Sequence, residues 1–228
     1  SNLELLRCVF TENSAVEDGG GMYSMASAVT LLECTFLRNT CGNRGGGMLN
    51  SFNVVPSKSV ITDCVFTHNE AAYCGGGICN EYSLLYLTAC LFTENWAGGI
   101  GGGISMEIGG ESKIKTCTFT GNHAVHGGGG IYRNDPYGED ALPVVNCIFR
   151  SNVADDVGGA LCDRSHGSTL NVINCVFTEN ASHTCGGAMY CWKYSNPKVK
   201  HCTLTGNYGP SGGGIYSASD SLAVANSV

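Results

Sequence analysis

Residues 8–22, CVFTENSAVEDGGGM, decide the fold because they return. The same pattern reads CTFLRNTCGNRGGGM at 34–48, CVFTHNEAAYCGGGI at 64–78 and CLFTENWAGGIGGGI at 90–104, and it continues to the end of the chain. Aligned on cysteine, the repeats begin at Cys8, Cys34, Cys64, Cys90, Cys117, Cys147, Cys175 and Cys202. Two residues on stand Phe10, Phe36, Phe66, Phe92, Phe119, Phe149, Phe177 and Leu204. Five residues on stand Asn13, Asn39, Asn69, Asn95, Asn122, Asn152, Asn180 and Asn207. Three residues before each cysteine is an aliphatic: Leu5, Leu31, Ile61, Leu87, Ile114, Val144, Val172 and Val199.

Each copy holds three short extended pieces: the aliphatic pair before the cysteine, the C-x-F segment, and GG[GA][MIL]. Apolar residues alternate within each, which is the period of a strand. Gly or Asn interrupts every copy, so no helix is expected. Successive cysteines lie 25 to 30 residues apart, counting Ser227 as the ninth position. Nearly all of that variation falls between the third piece of one copy and the first of the next. Two fixed corners and one free corner are what a coil of stacked, in-register turns requires. The expectation is an all-β chain, a right-handed single-stranded parallel β-helix with three strands per rung and about eight and a half rungs. At about 4.8 Å per rung the rod is roughly 40 Å long.

The columns then acquire roles. Phe stacks on Phe inside, opposite a Gly column that leaves room for the rings. Asn stacks at a tight corner, where its amide bonds the backbone and its tolerance of the left-handed region helps. A small column follows: Ala15, Cys41, Ala71, Ala97, Ala124, Ala154, Ser182 and Gly209. The cysteine column is expected to be a buried thiol ladder, because parallel Cβ vectors about 4.8 Å apart lie outside disulfide geometry. Outside the ladder, Cys41 and Cys74 are the best disulfide candidate.

The paired motifs F-x-x-N and GG[AG][ILM] resemble the repeats of the chlamydial polymorphic outer-membrane protein family. FTEN, FLRN, FTHN, FTGN and FRSN carry the first motif, LTGN departs from it, and GGAL and GGAM fit the second strictly. The resemblance covers nearly the whole chain. It implies a secreted or surface-displayed β-helical passenger, often adhesive.

Composition excludes several function classes. Charged residues are 14% of the chain, with 12 basic and 19 acidic residues and a formal charge of −7. There is no basic run, which argues against nucleic acid as a partner. No apolar stretch is long enough to span a bilayer as a helix. Fourteen cysteines favour an extracellular or cell-surface address.

Candidate chemistry is sparse, and neither enzymatic activity nor a cofactor is expected. Asp155, Asp156, Asp163, Arg164 and His166 superficially resemble the acidic and basic clusters of polysaccharide-cleaving β-helices. Their corners differ, so they are read as solvated charges, with Arg133 and Asp163 as a surface ion pair. RNDPYGED at 133–140 has the look of a calcium loop, with Asp135, Glu139 and Asp140 as weak ligand candidates. His123/His126 and His183/Cys185 stand at near-ligand spacing without a matching second pair, so no zinc site is expected. The sequon at Asn180 falls on the inward Asn column. The outward positions of C-x-F form a flat, β-branched, Thr-rich face. It is read as good strand sequence or a packing and adhesion surface, with a lesser likeness to the Thr rows of ice-binding β-helices.

The chain is therefore expected to be one continuous helix over 1–228, uncapped at both ends. Flanking rungs or head-to-tail copies of itself are its expected partners, with a protein or glycan as surface ligand. The functional expectation is a structural or adhesive extracellular repeat segment, surface passenger or filament. The alternative is a polysaccharide-binding or polysaccharide-cleaving β-helix.

Overall fold

The computed structural model describes residues 2–51, 58–107, 112–136 and 141–228. Its strands form four parallel sheets running the length of a coil, of nine, eight, seven and eight strands. The first sheet runs from Asn2–Leu6 to Ala223–Ala225 and the second from Val9–Thr11 to Thr203–Thr205. The fourth runs from Met22–Met25 to Ile215–Ser217. The third was not expected. It is built of two-residue strands such as Ser14–Ala15 and Trp96–Ala97, lying where the sequence placed only a corner. The small-residue column is inward on this sheet, buried from Cys41 and Ala71 through Ala154 and Ser182.

Registers match the column alignment. Phe10 pairs with Phe36, and the series continues unbroken to Phe177 with Leu204. Neighbouring Phe rings lie 4.6–5.0 Å apart and within 7° of parallel. That separation exceeds ring thickness, so the stacks are offset. The six Phe rings from Phe36 to Phe177 are wholly buried. Each stabilises by about 1.5–3 kcal/mol relative to exposure. A Cβ on the third glycine of the triplet would stand 3.0–3.2 Å from the facing ring, as at Gly77 against Phe92 and Gly130 against Phe149. The thin core across from the rings is therefore real.

The corners explain why Asn and Cys are fixed. The residue before each ladder Asn is left-handed, as at Glu12 (φ 55°), Arg38 (φ 52°) and Glu94 (φ 51°), and so is the residue before each ladder Cys, as at Glu33 (φ 54°) and Asp63 (φ 52°). The left-handed residue is thus not the Asn itself, as expected, but its predecessor. After such a turn the next N–H lacks a carbonyl in the adjoining rung and needs a side-chain acceptor. Asn supplies one: Asn69 N–H donates to Asn95 Oδ1 at 3.0 Å, and the Asn69 amide donates to Phe36 O and to Asn95 Oδ1. Cys repeats the device in sulfur. Cys34 N–H donates to Cys64 Sγ at 3.3 Å, and the Cys64 thiol donates to Thr62 O at 3.1 Å. Ser227 takes the same role in the ninth rung, its Oγ accepting from Cys202 N–H at 3.1 Å. The thiol ladder is therefore a hydrogen-bonded corner as well as a hydrophobic column.

Candidate functional site: the outer seam of the fourth sheet

A third left-handed residue, the first glycine of each triplet, turns the chain into the fourth sheet, as Gly75 does at φ 65°. The bend folds two outward columns together. One precedes the glycine and bridges from rung to rung through Arg44, Cys74, Ile100, Gly127, Val157, Cys185 and Ser211. The other is the outward position of the fourth-sheet strands: Tyr23, Leu49, Cys79, Ser105, Tyr132, Cys162, Tyr190 and Tyr216, all in register. Where they meet they form two small apolar clusters outside the main core. Leu49, Cys74 and Cys79 pack with Ile100. Val157, Cys162 and Tyr190 pack with Tyr132, Cys185, Trp192 and Tyr216.

The N-terminal half of this seam is charged. Arg44 donates to both oxygens of Asp18, at 3.1 and 2.7 Å, and to both of Glu81, at 2.7 and 2.8 Å. The hydrogen bond from Arg44 lowers the Asp18 pKa, and those to the two carboxylates raise that of Arg44. Ser51 donates to Glu81 at 3.3 Å. Glu107 is the in-register neighbour of Glu81. Burial raises the Glu107 pKa, and the negative charge of Glu81 adds to the rise.

The C-terminal half is aromatic and cationic. Tyr190 and Tyr216 stack 5.6 Å apart and 2° from parallel, and Trp192 stands 6.4 Å from Tyr190. The Arg164 guanidinium lies 5.9 Å from the Tyr190 ring and 5.6 Å from Trp192. Lys193 reaches Tyr194 at 4.5 Å, and His166 stacks on Tyr194 at 5.1 Å. Burial pushes the Cys162 thiol and the Tyr190 phenol up to about 12.

The residues singled out in the sequence separate over three places. Asp163 and Arg133 are not at the surface: each is about 1% exposed or less, and they pair at 3.4 Å inside the coil. The fourth-sheet strand Leu161–Asp163 continues two residues beyond the motif, and its alternation turns Asp163 inward beside Arg133. Arg133 also reaches Ser165 at 3.2 Å and Ser168 at 2.6 Å. Burial raises the Asp163 pKa, against the attraction of Arg133. Arg164, one residue on, points outward, so the two do not converge on a site. Asp155 takes His123 at 3.0 Å and His183 at 3.6 Å. Asp135 is buried against Arg133 at 3.5 Å, while Glu139 and Asp140 lie outside the described residues; the longest stretches of the variable corner, expected at 51–58 and 134–141, fall partly outside them too. Cys41 is in register with Ala71, whereas Cys74 bridges Arg44 and Ile100. The expected Cys41–Cys74 bond is therefore not formed, because the two lie on different columns; all fourteen cysteines are free. Asn180 is fully buried, its amide committed to Phe149 O and Asn207 Oδ1.

Four in-register parallel sheets wound about one core define a parallel β-solenoid. Residues 57–228 match the family model described as right handed beta helix region, and the chain belongs to that family. No curated protein and no solved structure matches it.

Proposed function

We propose that the chain is a structural and adhesive β-helical segment, displayed outside the cell, whose partner-binding face is the C-terminal half of the outer seam. One observation carries this reading. Tyr190, Trp192, Tyr194 and Tyr216 gather on one outer edge with Arg164 and Lys193 among their rings. Flat rings beside cations supply the stacking and charge that protein and glycan ligands both use. The ladder Phe residues, by contrast, are committed to the core. The likeness to chlamydial-type surface repeats supports the same reading. The test is binding of the chain to arrays of glycans and purified surface proteins. Arg164→Ala with Trp192→Ala is expected to lower binding at least about tenfold, a change of about 1.4 kcal/mol, with the β-sheet circular-dichroism signal retained. Equal binding by the variant, or binding to nothing, refutes it.

A second reading, polysaccharide cleavage, rests on Glu81 and Glu107. These neighbours have different environments, one held by Arg44 and the other pushed toward its protonated form. Such a division suits an acid and a carboxylate partner. Release of reducing ends from a polysaccharide, abolished in Glu107→Gln, is its signature; no release in the unaltered chain removes it.

A further inference from the structure

We infer that Cys74, Cys79 and Glu81 form a binding site for a thiophilic divalent cation of the zinc class. The ligand atoms of these three buried residues all lie within 4.8 Å of one another. The spacing is close to what tetrahedral coordination needs. With metal–sulfur bonds of about 2.3 Å and metal–oxygen bonds of about 2.0–2.2 Å, ligand atoms stand roughly 3.5–3.8 Å apart. Cys79 Sγ and Glu81 Oε1 are already 4.0 Å apart. A small side-chain adjustment completes the set.

The local fold holds these groups. Cys79 and Glu81 are two apart on the strand Ile78–Glu81, on its outer side, and Cys74 is brought over by the left-handed bend at Gly75. Leu49 and Ile100 wall the thiols from water. Arg44 grips both Glu81 oxygens and is itself held by Asp18. Outer partners of this kind orient a ligating carboxylate. Each carboxylate oxygen has two lone pairs, so Oε1 retains one for a metal while accepting from Arg44. Two thiolates and one carboxylate suit zinc or cobalt better than calcium or magnesium, which prefer all-oxygen shells. Three protein ligands leave a fourth position open, filled by water.

Charge balance favours the exchange. A cysteine binds a metal as its thiolate, so metal and thiol proton compete for the same sulfur. Binding releases one proton from each thiol to solvent as two metal–sulfur bonds form, so the formal charge of the cluster is the same before and after. No redox step is involved. The same columns show why the site occurs once among the described residues. Cys162 occupies the Cys79 position three rungs on, but its partner across the bend is Val157.

The probe is Co2+ added to the reduced full chain, read by its thiolate-to-cobalt charge-transfer band and by displacement with Zn2+. One equivalent per chain is expected, with the band lost in Cys79→Ser and Cys74→Ser. Arg44→Gln is expected to weaken affinity about 10–100-fold. Cys162→Ser, which removes a buried thiol from the same column, is expected to keep the band and controls for folding. Three results overturn the inference. One is no band in the unaltered chain, and another is a band that survives in Cys79→Ser. The third is a Cys74–Cys79 disulfide in the chain as isolated, seen as the loss of two hydrogens in the mass of the peptide that carries both cysteines. Because the aromatic edge is untouched by these variants, loss of metal leaves the adhesive reading separately testable.

Discussion

Replacing Asn95 by Ala tests the corner logic at its centre. The Asn95 amide donates to Phe66 O and to Asn122 Oδ1, each at 2.9 Å. Its oxygen accepts from Asn69 N–H and from the Asn69 amide, both at 3.0 Å. Truncation strips a partner from three buried groups: the Phe66 carbonyl, the Asn69 N–H and the Asn69 amide. Asn122 Oδ1 keeps the Asn95 N–H at 3.0 Å and loses only one of its donors. At about 1–3 kcal/mol for each buried group left unmade, and some relief from entering water, the expected loss is about 3–6 kcal/mol. Asn95→Asp should be at least as harmful, because it sets an oxygen against two acceptors and buries a charge. The assay is denaturant unfolding followed by circular dichroism, with the slope watched for splitting of the transition, since rungs couple only to their neighbours. Asn95→Ala combined with Asn122→Ala should cost less than the sum of the two, because they share a bond. A loss for Asn95→Ala below about 1 kcal/mol would refute the reasoning, since it would mean that the corner N–H finds another acceptor.

Phe92→Ala truncates a fully buried ring between two others and should cost about 3–5 kcal/mol in the same unfolding assay. Gly76→Ala should be more damaging than Gly77→Ala: a Cβ at Gly76 collides with two carbonyls, those of Trp96 and Gly102, whereas at Gly77 it meets one carbonyl and a ring edge. Alanine already stands at the Gly77 column in Ala160 and Ala188, but never at the Gly76 column; equal melting of the two variants would count against this. Stability should also depend on pH with two opposite signs. Asp18 has a lowered native pKa, so its contribution is present above the unfolded carboxylate value and is lost as pH falls through the native one. Asp163 has a raised native pKa, so its contribution is present at low pH and is lost as pH rises through the native value. Asp18→Asn should flatten the acid limb and Asp163→Asn the opposite one, measured by unfolding free energy from strongly acidic to mildly alkaline pH; the reverse pattern contradicts the burial assigned to each.

The ladders were legible because their offsets do not vary. Cys, Phe and Asn keep their mutual spacing from copy to copy, and a periodic core is what periodicity reveals. The third sheet was hidden because its strands are two residues long, too short for alternation to register. Arg133 and Asp163 were misplaced because the fourth-sheet strand ends beside the variable corner, where sequence no longer tells which residue is the last to alternate. A charged pair there reads as a loop. The seam that joins Cys74, Cys79 and Glu81 was hidden for another reason. Its two columns meet across a left-handed bend, and that contact follows from the φ of Gly75 rather than from any repeat. The one available signal was the unusual pair Cys74 and Cys79 flanking GGG, which no other copy shares. The aromatic edge was similarly obscured, since Tyr190 and Trp192 stand in one rung and Tyr216 in the next, and only the register brings Tyr216 onto Tyr190.

The inward thiol ladder fixes the register of the coil, and timed alkylation of the reduced native chain with peptide mapping by mass spectrometry tests it most directly. Twelve of the fourteen cysteines are buried, with Cys8 and Cys185 partly accessible. Prompt labelling is therefore expected at Cys8 and Cys185 alone. Cys34, Cys64, Cys90, Cys117, Cys147, Cys175 and Cys202 should stay unlabelled until the chain is unfolded, since their reaction requires opening of the core. Rapid labelling of Cys64, Cys90 and Cys117 in the folded chain would place the column outside and contradict the register on which the whole structure depends.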